Sequence, residues 1–337
     1  MEKTILIGHG SGGLMTSELI RDVFARHLGN PVLNTMGDSA LLQVDNARLA
    51  FTTDSFVIDP VFFPGGNIGK LAVCGTVNDL SVSGAKPLFI SAGFILEEGF
   101  PISDLETIVQ SMADEAAQAG VQVVTGDTKV VRKGQCDKIF INTSGIGLID
   151  QRHADISGGL LIKPGDKILV NGYLGDHEMA VLAARQNLSF EPPLVSDVCS
   201  LNAITRDLLN ELEGVHFMRD ITRGGLATVL SEIVAHGKFG IGFDEENLPV
   251  RDQVNGICEI FGFNPLYLAN EGKLVLIVAR EEASKALEVM ESNPLGRNAA
   301  IIGEVSTQNS GKVLMKSLIG GTRIVDKLAG EQLPRIC

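Results

Sequence analysis

LAFTTDSFVIDPVFFPGGNIGKLAVCGTVNDLSVSGAKPLFISAGFIL, residues 49–96, reads as strand, helix and strand in succession. Phe, Thr, Val and Ile crowd LAFTTDSFVID (49–59), as residues suited to a pleated surface do. Ile68 to Ser83 is then a helix of small residues, stopped by Gly84 with Pro87 beyond it, and LFISAGFIL (88–96) returns to strand. Between the first two lies PGGNIGKL (64–71), a turn that opens the helix. It is not a P-loop: the GxxxxGK[ST] spacing is unmet, and Leu71 stands where a metal-binding hydroxyl is needed.

Upstream, a glycine loop GHGSGG (8–13) runs into LMTSELIRDVFARHL, where Leu14, Leu19, Ile20, Val23 and Phe24 form an apolar stripe at helical spacing. LLQVD (41–45) is a short strand. Downstream, Ser103 as N-cap with Glu106 three residues on makes a capping box, and the helix should turn Leu105, Ile108, Val109, Met112 and Ala116 inward before ending at Gly120. VQVVTGD (121–127) and KIFINTSGIGLI (138–149) are strands, so strands outnumber helices and an α+β first domain closes near residue 150. QRHADISGG is a linker. LLIKPGDKILV restarts the pattern around a turn at Pro164 and Gly165, and strands at 167–171, 215–219, 273–279 and 300–305 alternate with helices at 176–187, 198–212, 225–236, 251–261 and 281–291. This is a second, α/β domain. The stretches 186–216 and 306–326 carry no usable motif.

The chain has 337 residues, 45% of them hydrophobic, which suits two cores better than one. No apolar run approaches the ~18 residues of a membrane span, and MEKTILIGHGSGG lacks a signal-peptide core, so no membrane association and a cytoplasmic location are expected. Cys74, Cys136, Cys199 and Cys258 are scattered, with neither a CxxC pair nor a disulfide framework. A formal charge of −13 without any basic stretch excludes nucleic acid as a partner. Phosphates would have to be handled locally, by metal and backbone amides.

Five aspartates stand at turns between apolar runs: Asp38 in MGDSAL, Asp54 in FTTDSF, Asp79 in TVNDLS, Asp127 in VTGDTK and Asp220 in MRDITRGG. Singly, each reads as an Asx turn or helix cap. Together they suit a metal and nucleotide site without a P-loop, because Mg²⁺ takes one or two carboxylates from any element plus water and phosphate oxygens. GHGSGG and DITRGG are glycine turns entering helices, with Arg219 and Arg223 flanking the second, and either an anion site or a solvated loop fits them. Lys129 is within reach of a phosphate or is an ordinary surface lysine. Glu271, in ANEGKLVLIV, is a strand-entry residue or a carboxylate with a raised pKa; His177, in LGDHEMA, is a helix-end polar residue or a proton carrier. The last residue, Cys337, ends GEQLPRIC. An extended chain from Gly330 would let its sulfur travel about 20 Å or more, so it is either an inert thiol or a group that visits more than one site.

HGSGG (9–13), residues 53–85 (TDSFVID to VSGA), GFILEEG (93–99), VTGDTKVV (124–131), LGDHE (174–178), RDITRGG (219–225), ANEGKLV (269–275) and PRIC (334–337) together resemble the HypE family of hydrogenase maturation factors. These are carbamoyl dehydratases within the aminoimidazole ribonucleotide synthetase (PurM-like) superfamily, and the resemblance runs along almost the whole chain. It implies four segments: a glycine loop and helix (1–37), an ATP-binding dimerisation domain (38–152), a C-terminal α/β domain (153–325) and a mobile tail (326–337). It further implies a homodimer whose first domains build an intersubunit β-barrel from their mixed sheets. ATP and Mg²⁺ would be held by Asp38, Asp54, Asp79, Asp127 and Asp220, with Asn78, Gly126, Thr128, Arg223 and Gly224 assisting. Cys337 would receive a carbamoyl group from the carbamoyltransferase HypF, be dehydrated to the thiocyanate (S-cyanocysteine) with Glu271, Lys129 or His177 moving protons, and pass cyanide to iron on a HypC–HypD scaffold. Two alternatives remain open: a small-molecule ATP-using synthetase or kinase of the same superfamily, and an ATP-gated metal-delivery scaffold using Cys337 as a soft ligand.

Overall fold

A computed structural model describes residues 4–153, 156–236, 238–328 and 333–337. The first unit holds strands β1 (Ala40–Val44) and β2 (Ala47–Phe56), helix α1 (Ile68–Val82), β3 (Ala85–Glu97), α2 (Ile102–Ala119), β4 (Gln122–Val131) and β5 (Ile139–Ile149). The sheet order is β1-β2-β5-β3-β4. Only β3 and β4 pair in parallel, which requires a crossover, and α2 supplies it. The sheet is mixed and open, with β1 and β4 as edges, so no barrel closes among the described residues.

The strand, helix and strand read from residues 49–96 are β2, α1 and β3. Asn67 caps α1, its side chain accepting from the N–H groups of Gly69 (2.9 Å) and Lys70 (3.2 Å), so PGGNIGKL is the helix-opening turn. The helix is buried almost all round, which is why its residues are small. A Cβ at Gly69 would stand 2.3 Å from the Ile108 carbonyl oxygen, and one at Gly75 2.9 Å from the Phe56 ring. Ile68, Leu71 and Val77 of α1 meet Ile90, Ile139 and Ile141 of the sheet and Ile108 and Met112 of α2.

Three local expectations fail. Ser103 does not cap α2: the helix starts at Ile102 behind Pro101, and the Leu105 N–H bonds the Pro101 carbonyl. Proline's fixed φ and missing N–H suit a helix entry, so the first turn forms before the serine is reached. Val109 lies exposed while Ile108, Met112 and Ala116 are buried. Residues 14–28 are helical, wound as a π-helix over Ile20–Ala25, yet Leu14, Val23 and Phe24 of the apolar stripe face outward.

The second unit runs β6 (Lys167–Val170), α3 (Asp176–Gln186), α4 (Asn202–Glu211), β7 (Val215–Asp220), α5 (Gly225–His236), β8 (Gly240–Asp244), α6 (Asp252–Phe261), β9 (Leu274–Val278), α7 (Ala283–Ser292), β10 (Ala300–Ser306), β11 (Val313–Lys316) and β12 (Thr322–Val325). Its seven-stranded sheet has the order β12-β11-β8-β10-β6-β9-β7. β8, β11 and β12 add to the expected strands: β8 lies between β10 and β11, distant in sequence, and β11 and β12 form a hairpin. Only β8 and β11 pair in parallel, so alternation of strands and helices along the chain does not make this a parallel sheet. LVLIV of β9 is buried on both faces, between a core that includes Phe217 and Leu230 and one that includes Leu208 and Met290. Among the described residues no helix is long and apolar enough to cross a membrane.

Residues 335–337 lie antiparallel beside 57–59. The Val57 N–H donates to the Cys337 carbonyl (3.0 Å) and the Asp59 N–H to that of Arg335 (3.2 Å). Ile336 and Cys337 are buried in the same apolar cluster as Phe56, Ile68 and Val181, so the tail joins a core to which both units contribute.

Candidate functional site

Asp38 precedes β1, Asp54 lies on β2, Asp79 on the last turn of α1, Asp220 ends β7 and Glu271 precedes β9. Folding brings these five carboxylates together from both units. Burial pushes the Asp79 carboxyl well above its ordinary range, and Asp220, Asp54 and Asp38 push it further, against a 2.7 Å bond donated by the Thr52 hydroxyl. Asp220 is raised for the same reasons, burial first and then Asp38. Asp38 is raised by burial although Arg219 forms a 3.0 Å ion pair with it, and Asp54 is raised by burial against the opposing charge of Arg223. Glu271, 3% exposed, is pushed well up by burial and by Asp54, Asp197 and Asp220, and its Oε1 has no hydrogen-bond partner. Mutually repelling, desolvated carboxylates cost stability and persist where a site uses them.

Beside this cluster is a cavity of about 190 Å³ lined by Gly10, Ser11, Gly13, Glu178, Arg223 and Gly224, and also by Ile336 and Cys337. The two glycine turns found in the sequence therefore meet. Gly12, at φ +78°, lies against the Arg223 backbone, where a Cβ would come within 3.1 Å of its carbonyl oxygen. The Arg223 guanidinium donates to the Gly10 carbonyl at 2.7 Å. Burial pushes the Cys337 thiol up to about 12; Arg223 opposes this, while Glu271, Asp54 and Glu178 add to it. The docked sulfur is thus a neutral thiol, near the charged groups of Arg223, Glu271, Asp54 and Glu178 and beside both glycine turns.

Not every expected residue converges here. Gly126, Asp127, Thr128 and Lys129 lie on β4, an exposed edge, where Lys129 pairs with Asp127 at 2.5 Å. Asn78 joins the two units: its amide donates to the carbonyls of Cys199 and Glu271 (3.1 Å each), and its oxygen accepts from the Leu201 N–H (2.7 Å). Replacing Asn78 by alanine should destabilise the chain by about 2–4 kcal/mol, because three buried backbone groups lose their partner; urea unfolding checks this. His177 is fully buried and its pKa is lowered by burial, so it is neutral. A carbonyl only accepts; Nε2–H therefore donates to the Ile336 carbonyl (2.6 Å), and Nδ1 accepts from the Ser196 hydroxyl (2.7 Å).

Glu178, not among the residues expected from the sequence, accepts at Oε2 from the Ala269 N–H at 2.6 Å, and its charge acts on the Cys337 sulfur. Its only signal was its place beside His177 in LGDHE. Among the described residues no three His, Cys, Asp or Glu side chains converge closely enough to enclose an ion. An ion here would take one or two of Asp38, Asp54, Asp79 and Asp220 and complete its shell with water and phosphate oxygens, as Mg²⁺ does. The donors fit: all are hard oxygens, and a divalent cation would relieve the repulsion that raises their pKa values.

Residues 36–149 match the family model for the N-terminal domain of AIR synthase related proteins, and residues 163–316 match that for the C-terminal domain. The chain is 47% identical over 338 residues to the carbamoyl dehydratase HypE of Rhodobacter capsulatus, covering 100% of this chain and 99% of the relative. It superposes on a chain of a solved HypE–HypF complex with a TM-score of 0.86 at 50% identity, covering 92% of this chain and 99% of that one. Hydrogenase maturation protein HypE solved in complex with ATP gives a TM-score of 0.82 at 48% identity, covering 99% and 100%.

Proposed function

The chain belongs to the HypE family of carbamoyl dehydratases, and on that premise we propose that it dehydrates an S-carbamoyl group carried on its own Cys337 to S-cyanocysteine, using ATP, in hydrogenase maturation. The observation that carries this reading is the placement of Cys337: buried in a cavity with Arg223 and two glycine turns, beside Glu271 and the aspartate cluster. The relative solved with ATP supports nucleotide use, and the relative solved with HypF supports HypF as a partner, the proposed source of the carbamoyl group.

ATP and Mg²⁺, when bound, supply the phosphoryl group that turns a carboxamide oxygen into a leaving group and the charge that offsets it. Asp38, Asp54, Asp79 and Asp220 would hold the ion, and the amides of the two glycine turns would face the phosphates. Arg223 is suited to orient the amide oxygen. Glu271, uncommitted at Oε1, is suited to take the nitrogen-bound protons. In sum the C–O bond breaks, its oxygen leaves as phosphate, both N–H protons are lost and C≡N forms. Val57, Leu333 and Ile336 keep water from the activated group. Since the docked thiol is pushed up to about 12, loading by HypF belongs to an undocked tail, and dehydration to the docked one.

The homodimer follows from the same reading. The sheet face opposite α1 and the edge strand β4 leave Phe51, Phe89, Ile95, Val124, Val130 and Leu148 exposed, more than a monomer usually shows in one place. A second copy laid against this face would complete a barrel and cover Asp127 and Lys129. Val124→Asp should convert a dimer to a monomer in sedimentation velocity; an unchanged dimer would place the interface elsewhere. Delivery of cyanide to a HypC–HypD scaffold completes the proposal.

The test of function is mass spectrometry of the peptide bearing Cys337. The carbamoylated chain should lose the mass of one water when Mg²⁺ and ATP are added. ATP hydrolysis with that mass unchanged would favour the synthetase, kinase or scaffold readings.

A further inference from the structure

We propose that one face of α3 is the receptor for the tail, and that Arg185 is the residue that positions it. His177, Val181 and Arg185 are spaced four apart and share a helix face. His177 donates to the Ile336 carbonyl at 2.6 Å, and Val181 packs in the cluster that contains Ile336 and Cys337. Arg185 donates to three carbonyls: Nη1 to Pro334 at 2.6 Å, Nη2 to Arg335 and Nε to Asp59. One side chain thereby ties the tail to the segment 57–59 against which it runs. Only a guanidinium suits this position, since its planar fork reaches diverging acceptors that a single ammonium cannot serve together.

The tail also holds on through its own Arg335, whose Nε donates to the Val57 carbonyl at 2.9 Å and whose Nη1 pairs with Asp137. Arg335 itself adopts φ +57°, a left-handed conformation unfavourable for a non-glycine residue. The clasp must offset that cost for the docked form to persist. Its hydrogen bonds to residues 334–337 are to main-chain carbonyls and from the Arg335 side chain, and no hydrogen bond among the described residues engages the Cys337 sulfur. The receptor therefore holds the tail alike whether the sulfur is a thiol or carries a small group. This matters functionally only if Cys337 is the carrier proposed above, but the clasp itself is tested without ATP, a carbamoyl donor or turnover.

The full-length chain is pulsed with N-ethylmaleimide, and labelling is read at each cysteine by peptide mass spectrometry. In Arg185→Gln, Cys337 should label at least about tenfold faster than in the parent, while the buried Cys74 and Cys258 stay protected. Arg185→Lys should fall between, and it carries the same test should the glutamine variant fail to fold. Unchanged labelling of Cys337 overturns the proposal. So does a parallel rise at Cys74 and Cys258, which would make Arg185 a general structural residue. For the second part, tryptic cleavage after Arg335 should be equally slow in the thiol form and in a chain alkylated at Cys337 with iodoacetamide; faster loss of Ile336–Cys337 from the alkylated chain overturns indifference to the sulfur.

Discussion

Replacing Cys337 by alanine should abolish product formation: neither the carbamoylated nor the cyanated mass appears, whatever the supply of carbamoyl donor, Mg²⁺ and ATP. On the proposed reading the loss is total because the Cys337 sulfur carries the reacting group, and the other cysteines offer no substitute. Cys74 and Cys258 are buried with raised pKa values, Cys258 at about 12, and Cys199 is pushed up to about 11 by burial. Cys136 is partly accessible but lies outside the cavity of the glycine turns. The variant should fold, since a cysteine-to-alanine change at the end of a docked segment removes one sulfur from the margin of a core. A chain that turned over a small substrate would keep its activity in this variant; retained turnover of any such substrate would transfer the site to the synthetase or kinase reading.

Glu271→Gln should lower the rate of dehydration by about 10²–10⁴, the usual contribution of a positioned base, while leaving the loading of Cys337 by HypF unchanged. Glutamine preserves shape but cannot take a proton. The pH dependence has a definite sign. Burial, Asp54, Asp197 and Asp220 raise the Glu271 carboxyl well above its ordinary value, against Arg223, so its basic form appears only as pH rises through that raised pKa. Activity should therefore climb on the alkaline side of the ordinary carboxylate range in the parent, and that limb should be missing in the variant. Stability moves oppositely. The folded chain binds this proton more tightly than the unfolded chain, so folding is favoured below the ordinary pKa and that advantage is lost as pH rises through the raised pKa of the folded chain. Thermal unfolding should accordingly show Glu271→Gln more stable than the parent near neutral pH and indistinguishable from it in acid, a gain in stability at the expense of function. A variant with normal turnover, or one destabilised at neutral pH, would remove Glu271 from the base role.

Legibility varied along the chain for local reasons. Helix α1 could be read because a run of small residues ending in Ser83, Gly84 and Pro87 carries its own stop, and its limits differ from the expectation by one residue. β9 could be read because LVLIV is apolar on both faces. Ser103 misled because Pro101 had already started the helix, and β8, β11 and β12 escaped because, short as they are, they lack a continuous apolar run like that of β9. In the site, the aspartates and glycine turns were visible as residue types at turns, while Glu178 and Arg185 were not, since nothing in a helical stretch marks a carboxylate or guanidinium whose partners lie about 90 and 150 residues away.

What the amino-acid order determined alone was the set of elements and the chemistry available to them: carboxylates at turns, glycines where backbones must approach, a thiol on the last residue. Those are local properties of residue type and spacing. Which carboxylates share a volume, which aspartate stays on an exposed edge, that Asn78 joins units instead of facing a phosphate, and that Cys337 lies buried against α3 were decided by tertiary structure. Each depends on the register between chains far apart in sequence, where a desolvated charge or an unpaired carbonyl costs more than local preference can offset.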